Sequence, residues 1–174
     1  MAEESQELAK QIYDAFVNSS YPGDELIVPK VQYDDETQIT EAAFLGKGWQ
    51  VIDPTGEDFD YPCNLFFLTE EAFRYYLPAF LIASLDFERA PRITSLFFWR
   101  LSSDRDSEPS SELRALRADL TEPQYALLRA VFDHFVARYS YLEFDKDVSG
   151  IQYQTVRSAK AIRNQLLAMQ RNGR

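Results

Sequence analysis

Any nucleophilic mechanism that relies on histidine has a single ring to use, His134, because a serine or cysteine attacking near neutral pH needs a neighbouring base to take its proton. His134 lies between Asp133 and Phe135 in a stretch of helical periodicity, where a packed or half-exposed ring is the expected state. The lone cysteine, Cys63, follows Tyr61-Pro62 and precedes an apolar run, the setting of a buried, inert thiol rather than a nucleophile. One cysteine and one histidine cannot make a usual structural zinc site. Two acidic stretches are closer to metal chemistry. Asp145-Lys146-Asp147-Val148-Ser149-Gly150 has the oxygen ligands and the glycine of the first half of a calcium loop, with helical patterns on both sides. The second half departs from it, with Gln152 where an apolar residue is usual and Val156 in place of the closing bidentate glutamate. Asp53, Glu57, Asp58 and Asp60 are close together but match no ligand spacing, and read as solvated acids. These residues assign no catalytic group, no metal site and no cofactor.

The elements that would have to position any such chemistry are mostly helical. The first helix spans residues 3 to 18, with Leu8, Ile12, Ala15 and Phe16 on one face, and ends at the turn Tyr21-Pro22-Gly23-Asp24. Leu26-Ile27-Val28 reads as briefly extended. Asp35, with Gln38 three residues on, caps a short helix through Phe44 that Gly46 stops. From Trp49 to Pro62 the pattern is loop, with room for short extended pieces. The densest signal is FFLTEEAFRYYLPAFLIASL, Phe66 to Leu85. Thr69 is its N-cap, Glu70 and Glu71 complement the helix dipole, and Leu68 can staple onto Phe73. Its body is apolar on nearly every face, so it belongs in the core. Pro78 deprives the Arg74 carbonyl of its partner and is expected to kink the helix. Glu70, Glu71 and Arg74 leave too short an uncharged run for a bilayer, which requires ~20 residues.

Ile93 to Leu101, ITSLFFWRL, is apolar and short enough for either strand or helix, and helix is the reading adopted. Ser102 to Ser111 is polar and aperiodic and reads as an exposed loop. Leu120-Thr121-Glu122-Pro123-Gln124-Tyr125 repeats the cap and staple chemistry, with Pro123 tolerated in the first turn and Gln124 closing a capping box. Tyr125, Leu128, Phe132, Phe135 and Tyr139 then form a core stripe. A last helix, about Gln152 to Gln170, buries Val156, Ala159, Ile162, Leu166 and Met169. The fold class expected is mainly α: one compact domain over residues 1–174, with about five to six helices around a central proline-kinked helix. Minor short strands are allowed at the two extended stretches.

Phe67 to Ala79 fits a motif of the form FLTxEAFxYYLPA. Together with Gly46-Lys47-Gly48-Trp49 upstream and Leu120 to Gln124 downstream, it resembles a domain-of-unknown-function family of small bacterial proteins. The resemblance spans Ala43 to Phe135 and implies a shared helical fold, with no activity or catalytic residue to carry over.

With 174 residues and 45% hydrophobic composition, such a chain buries about 70% of the surface its unfolded form exposes. A single cysteine precludes an internal disulfide. The opening MAEESQELAK is acidic rather than basic then apolar, and a cytoplasmic location is expected. Six glycines in no phosphate-cradling pattern argue against nucleotide loops. Charge is the one global property that points to a partner. Residues 1 to 73 hold sixteen acids and three lysines, a net of −13, whereas residues 74 to 174 hold twelve acids and fifteen Lys or Arg, a net of +3. The overall −10 disfavours nucleic acid and anionic membranes. The basic last helix, with Arg157, Lys160, Asn164 and Arg171 on one face, could dock on the protein's own acidic half.

The function expected is therefore a non-catalytic interaction module, an immunity-like antidote or regulator. Its acidic face, made by Asp34, Asp35 and Glu36 with Glu57, Asp58 and Asp60, would bind a basic protein partner. The alternatives are a carboxylate-based or metal-assisted enzyme beside the Pro78 kink and a divalent-ion protein using the Asp145 loop.

Overall fold

A computed structural model describes residues 3–30, 34–53, 65–102, 108–145 and 148–172. Seven α-helices run through them: α1 (Glu3–Phe16), α2 (Asp35–Phe44), α3 (Glu70–Ser84), α4 (Pro91–Leu101), α5 (Ser111–Asp119), α6 (Glu122–Tyr139) and α7 (Gly150–Asn172). Tight 3-10 turns occur at Asp24–Leu26, Trp49–Val51, Leu65–Phe67 and Ser140–Glu143. No strand occurs among the described residues, and none of their helices is long and apolar enough to cross a membrane.

The start of α3 follows from its sequence. The Thr69 hydroxyl accepts the Ala72 N–H at 3.1 Å, satisfying one of the donors that a helix start leaves orphaned. The same hydroxyl donates to the Leu26 carbonyl, and the Thr69 N–H donates to the Ile27 carbonyl at 3.1 Å. Thr69 thus caps α3 and also fastens the Asp24–Leu26 turn across it. Leu68 and Phe73, on either side of the cap, are both buried. The helix continues without interruption through Pro78 to Ser84, and every residue from Tyr75 to Leu81 is buried. It packs against α1, α4 and α6 as the middle element of the core. α6 opens with the expected capping box, in which the Thr121 N–H donates to Gln124 Oε1 at 3.1 Å and the Gln124 N–H returns to Thr121 Oγ1 at 3.4 Å. α7 lies across α4 and α6, with Val156, Ala159, Ile162 and Leu166 all fully buried.

Four readings need correction. The cap of α2 is Asp34 rather than Asp35: its Oδ1 accepts the Thr37 N–H at 2.9 Å and the Thr37 hydroxyl at 2.7 Å. Both aspartates can cap by type, and tertiary packing of Thr37, which is buried, selects the first. Leu26-Ile27-Val28 is not extended, because the Leu26 and Ile27 N–H groups turn back to Gly23 and Asp24. Trp49–Val51 is likewise a 3-10 turn. Finally, α5 (Ser111–Asp119) is an additional helix, beginning at the last residue of the stretch that reads as loop. Ser110 caps it, accepting the Leu113 N–H at 3.1 Å while donating to the Leu101 carbonyl at 2.8 Å. Ile93 to Leu101 is helical, as adopted, and Gly46 ends α2 at φ 66, a left-handed conformation that glycine takes without a Cβ clash.

Candidate functional site

The sole histidine is paired. His134 Nε2 lies 3.0 Å from Ser5 Oγ, and Nδ1 lies 3.8 Å from Glu4 Oε2. Serine, imidazole and carboxylate therefore stand in the order of a nucleophilic triad. Ser5, however, is fully buried in the seam between α1 and α6, so no substrate carbonyl can reach its Oγ. The group acts as a polar latch that registers α1 on α6. Sequence reasoning isolated His134 but missed Ser5, although Ser5 precedes Leu8 and Ile12 at helical spacing on the buried face of α1.

Tyr76, on α3, is also a fastening. Tyr76 donates to the Phe44 carbonyl at 2.8 Å, and its oxygen lies 2.9 Å from the Lys47 carbonyl. The end of α2 is thereby tied to the core. Next to it, Tyr21 donates to Asp24 Oδ1 at 2.5 Å and accepts the Gly46 N–H at 2.9 Å. Burial raises the pKa of Tyr76 far above the ordinary phenol value, and burial together with Asp24 raises that of Tyr21. Neither phenol can serve as a base near neutral pH. Arg100, on α4, is buried with its guanidinium 4.1 Å from the centre of the Phe73 ring. It donates to the Leu65 carbonyl and, at 3.1 Å, to the Leu68 carbonyl, holding the turn that leads into α3. Burial pushes its pKa down to about 10, opposed by Glu112 and Glu70, and it stays charged at neutral pH.

The acids expected to bind a partner divide into two groups. Asp34, Asp35 and Glu36 are exposed at the start of α2. The Asp34 carboxyl is held below the usual carboxylate range by its bonds from Thr37. Glu57, Asp58 and Asp60 lie outside the described residues, as do Cys63, Asp147 and the centre of the Ser102–Ser111 stretch. The structure adds exposed acids that the sequence reading had not singled out: Glu3, Glu4, Glu7 and Asp14 on α1, and Asp24 and Glu25 in the following turn. Two cations of the last helix pair closer to home. Lys160 pairs with Glu143 and Arg163 with Asp133 at 2.7 Å, all within the second half of the chain. Arg74 pairs with Asp119, Arg117 with Glu122 and Arg138 with Glu88 in the same half.

Pro78 and its neighbours from Tyr75 to Leu81 are all buried. At the calcium-like loop, Ser149 is engaged in a cap: its N–H and hydroxyl each lie 3.1 Å from Gln152 Oε1, and the Gln152 N–H returns to Ser149 Oγ at 3.3 Å. No group of three or more His, Cys, Asp or Glu among the described residues is placed to hold a metal ion. A surface groove of about 960 Å³ opens between α4 and the first turns of α7, lined by Leu96, Trp99 and Ile151. Across it, Ser95 Oγ and Thr155 Oγ1 meet at 2.7 Å.

The described residues define a mainly helical fold with buried polar fastenings, exposed acids on α1 and at the start of α2, and an apolar groove between α4 and α7. Residues 4–152 match the family described as a family of unknown function, DUF6714, and the chain belongs to that family. No curated protein and no solved structure matches it. The matched region ends inside the first turn of α7, so most of that helix lies beyond it.

Proposed function

We propose that this protein is a non-catalytic, cytoplasmic interaction module whose acidic N-terminal half binds a basic protein partner, in the manner of an immunity protein or regulator. One observation carries the reading. Among the described residues, several cations of the second half pair with carboxylates of that same half, as in Lys160–Glu143, Arg163–Asp133 and Arg138–Glu88. The exposed acids of α1 and of the start of α2 keep their field toward solvent, where it can steer a cation-rich surface into contact. Burial of Ser5, beside the sole histidine, and of the residues around Pro78 is in keeping with the non-catalytic part of the reading.

Affinity capture from the native cell tests the proposal. At low ionic strength the chain should retain a basic protein. Raising salt until the Debye length falls from about 10 Å to about 3 Å should release it. The charge reversals Asp35→Lys and Glu36→Lys together should weaken retention by about tenfold or more, whereas Asp34 is left intact because it caps α2. Retention indifferent to both salt and reversal would sink the proposal, as would recovery of nothing at low salt.

A further inference from the structure

Aromatic side chains combine apolar area with a negative ring face, so rings gathered beside carboxylates make a surface for cations. On the acidic side of the molecule two ring pairs adjoin. Tyr13, on α1, is 44% exposed, with its ring tilted against the indole of Trp49 at a centroid distance of 5.4 Å. Tyr21 meets Tyr75 edge-on, also at 5.4 Å. The pairs are neighbours, since a Cβ added at Gly48, the residue before Trp49, would lie 3.6 Å from the Tyr75 hydroxyl. Exposed acids stand at both ends of this row. Asp14 follows Tyr13 on α1, and Asp24, with Glu25 beside it, accepts the Tyr21 hydroxyl. Trp49, behind Tyr13, is buried, and its Nε1 has no hydrogen-bond partner among the described residues. A buried donor left unmet costs stability, and a bound polypeptide carries carbonyl acceptors along its whole length.

The chemistry of the row selects among cations. A lysine ammonium is a compact, strongly hydrated point charge, whereas a guanidinium is planar, weakly hydrated, stacks on aromatic faces and pairs with carboxylates through a fork of donors. Tyr13, held against Trp49, offers the ring, and Asp14 offers a carboxylate one residue away. Lys10, one turn earlier on α1 and exposed, sets a like charge nearby and opposes any cation that approaches.

We propose that Tyr13, backed by Trp49 and flanked by Asp14, is the seat of an arginine side chain of the basic partner, so that the acidic half prefers an arginine-bearing segment to a lysine-bearing one. The inference rests on the partner reading given above and names the cation that it takes.

Fluorescence anisotropy of a labelled oligo-arginine peptide and a labelled oligo-lysine peptide of equal length, each titrated with the full chain at low ionic strength, reads the preference. Both should bind, the arginine peptide about tenfold more tightly. Tyr13→Leu, which keeps an apolar cover on Trp49 but has no ring, should erase most of that difference, and Tyr13→Phe should keep it. Lys10→Ala should tighten both peptides. Asp35→Lys with Glu36→Lys should weaken both in the same proportion and leave their ratio intact. Helical circular dichroism should be retained throughout, because all four positions are exposed. Equal affinities in the unaltered chain, or a preference that survives Tyr13→Leu in full, overturns the inference, while salt-sensitive binding of both peptides leaves the partner reading standing. Binding of neither peptide overturns the two together.

Discussion

Thr69 uses one hydroxyl in both directions, accepting from Ala72 and donating to the Leu26 carbonyl. Removing it orphans a helix donor and a carbonyl together, so Thr69→Val, which keeps the shape, should cost about 1–2 kcal/mol. Thr69→Ser should restore most of that, and urea unfolding of the three chains measures both. An unchanged midpoint in Thr69→Val would mean that water replaces the cap without loss. Most of the polar chemistry in this molecule is of this kind. Tyr76 ties down the end of α2, Arg100 holds the turn before α3, and His134 meets Ser5 across a buried seam. The residues that could be mistaken for a reactive set, Ser5 and His134, fasten one helix to another.

At the level of elements, α7 raises a question of extent. The family match stops at residue 152, yet beyond it Val156, Ala159, Ile162 and Leu166 are fully buried against α4 and α6. Burying a Val, Leu or Ile side chain is worth about 1.5–3 kcal/mol, and a whole domain has only about 5–15 kcal/mol of stability. A chain ended at Gln152 should therefore lose cooperative thermal unfolding, and a sharp melt in that truncated chain would show that α4 and α6 close without α7. What the sequence revealed about elements follows the same physics. Long helices with strong caps, α3 and α6, were legible because Thr69 and Thr121 announce their first turns and dense apolar residues follow. α5 was not, because nine residues with only Leu113 and Leu116 buried carry too little periodicity to stand out from a polar loop. The pairing of Ser5 with His134, and the groove formed where α4 meets α7, were illegible for a different reason. Each joins residues far apart in sequence, and no local spacing encodes that meeting. Of the acids proposed to bind a partner, Asp34 turned out to be an N-cap, a role its residue type permits but its neighbour Asp35 permits equally.

Across the whole molecule, burial of phenols sets a limit on alkaline stability. Tyr21, Tyr76, Tyr125 and Tyr139 reach from the α1–α2 connection to the α6–α7 end, and burial raises the pKa of each above its ordinary 10.0. A raised folded pKa favours the native state fully below the unfolded value, and that contribution is lost as pH climbs through and beyond it. Stability should hold up to about pH 10 and then fall. The phenolate absorbance of these four side chains should appear only together with loss of the helical signal. Ionisation of all ten tyrosines ahead of any helix loss would contradict the packing described. The same core also divides the two tryptophans: Trp49 is 2% exposed and Trp99 is 64% exposed. The molecule thereby carries two intrinsic fluorophores in opposite surroundings, one shielded from a dissolved quencher and one open to it. Quenchable emission follows the groove while protected emission follows the integrity of the core, so occupancy of the surface and loosening of the fold can be told apart in one unlabelled sample.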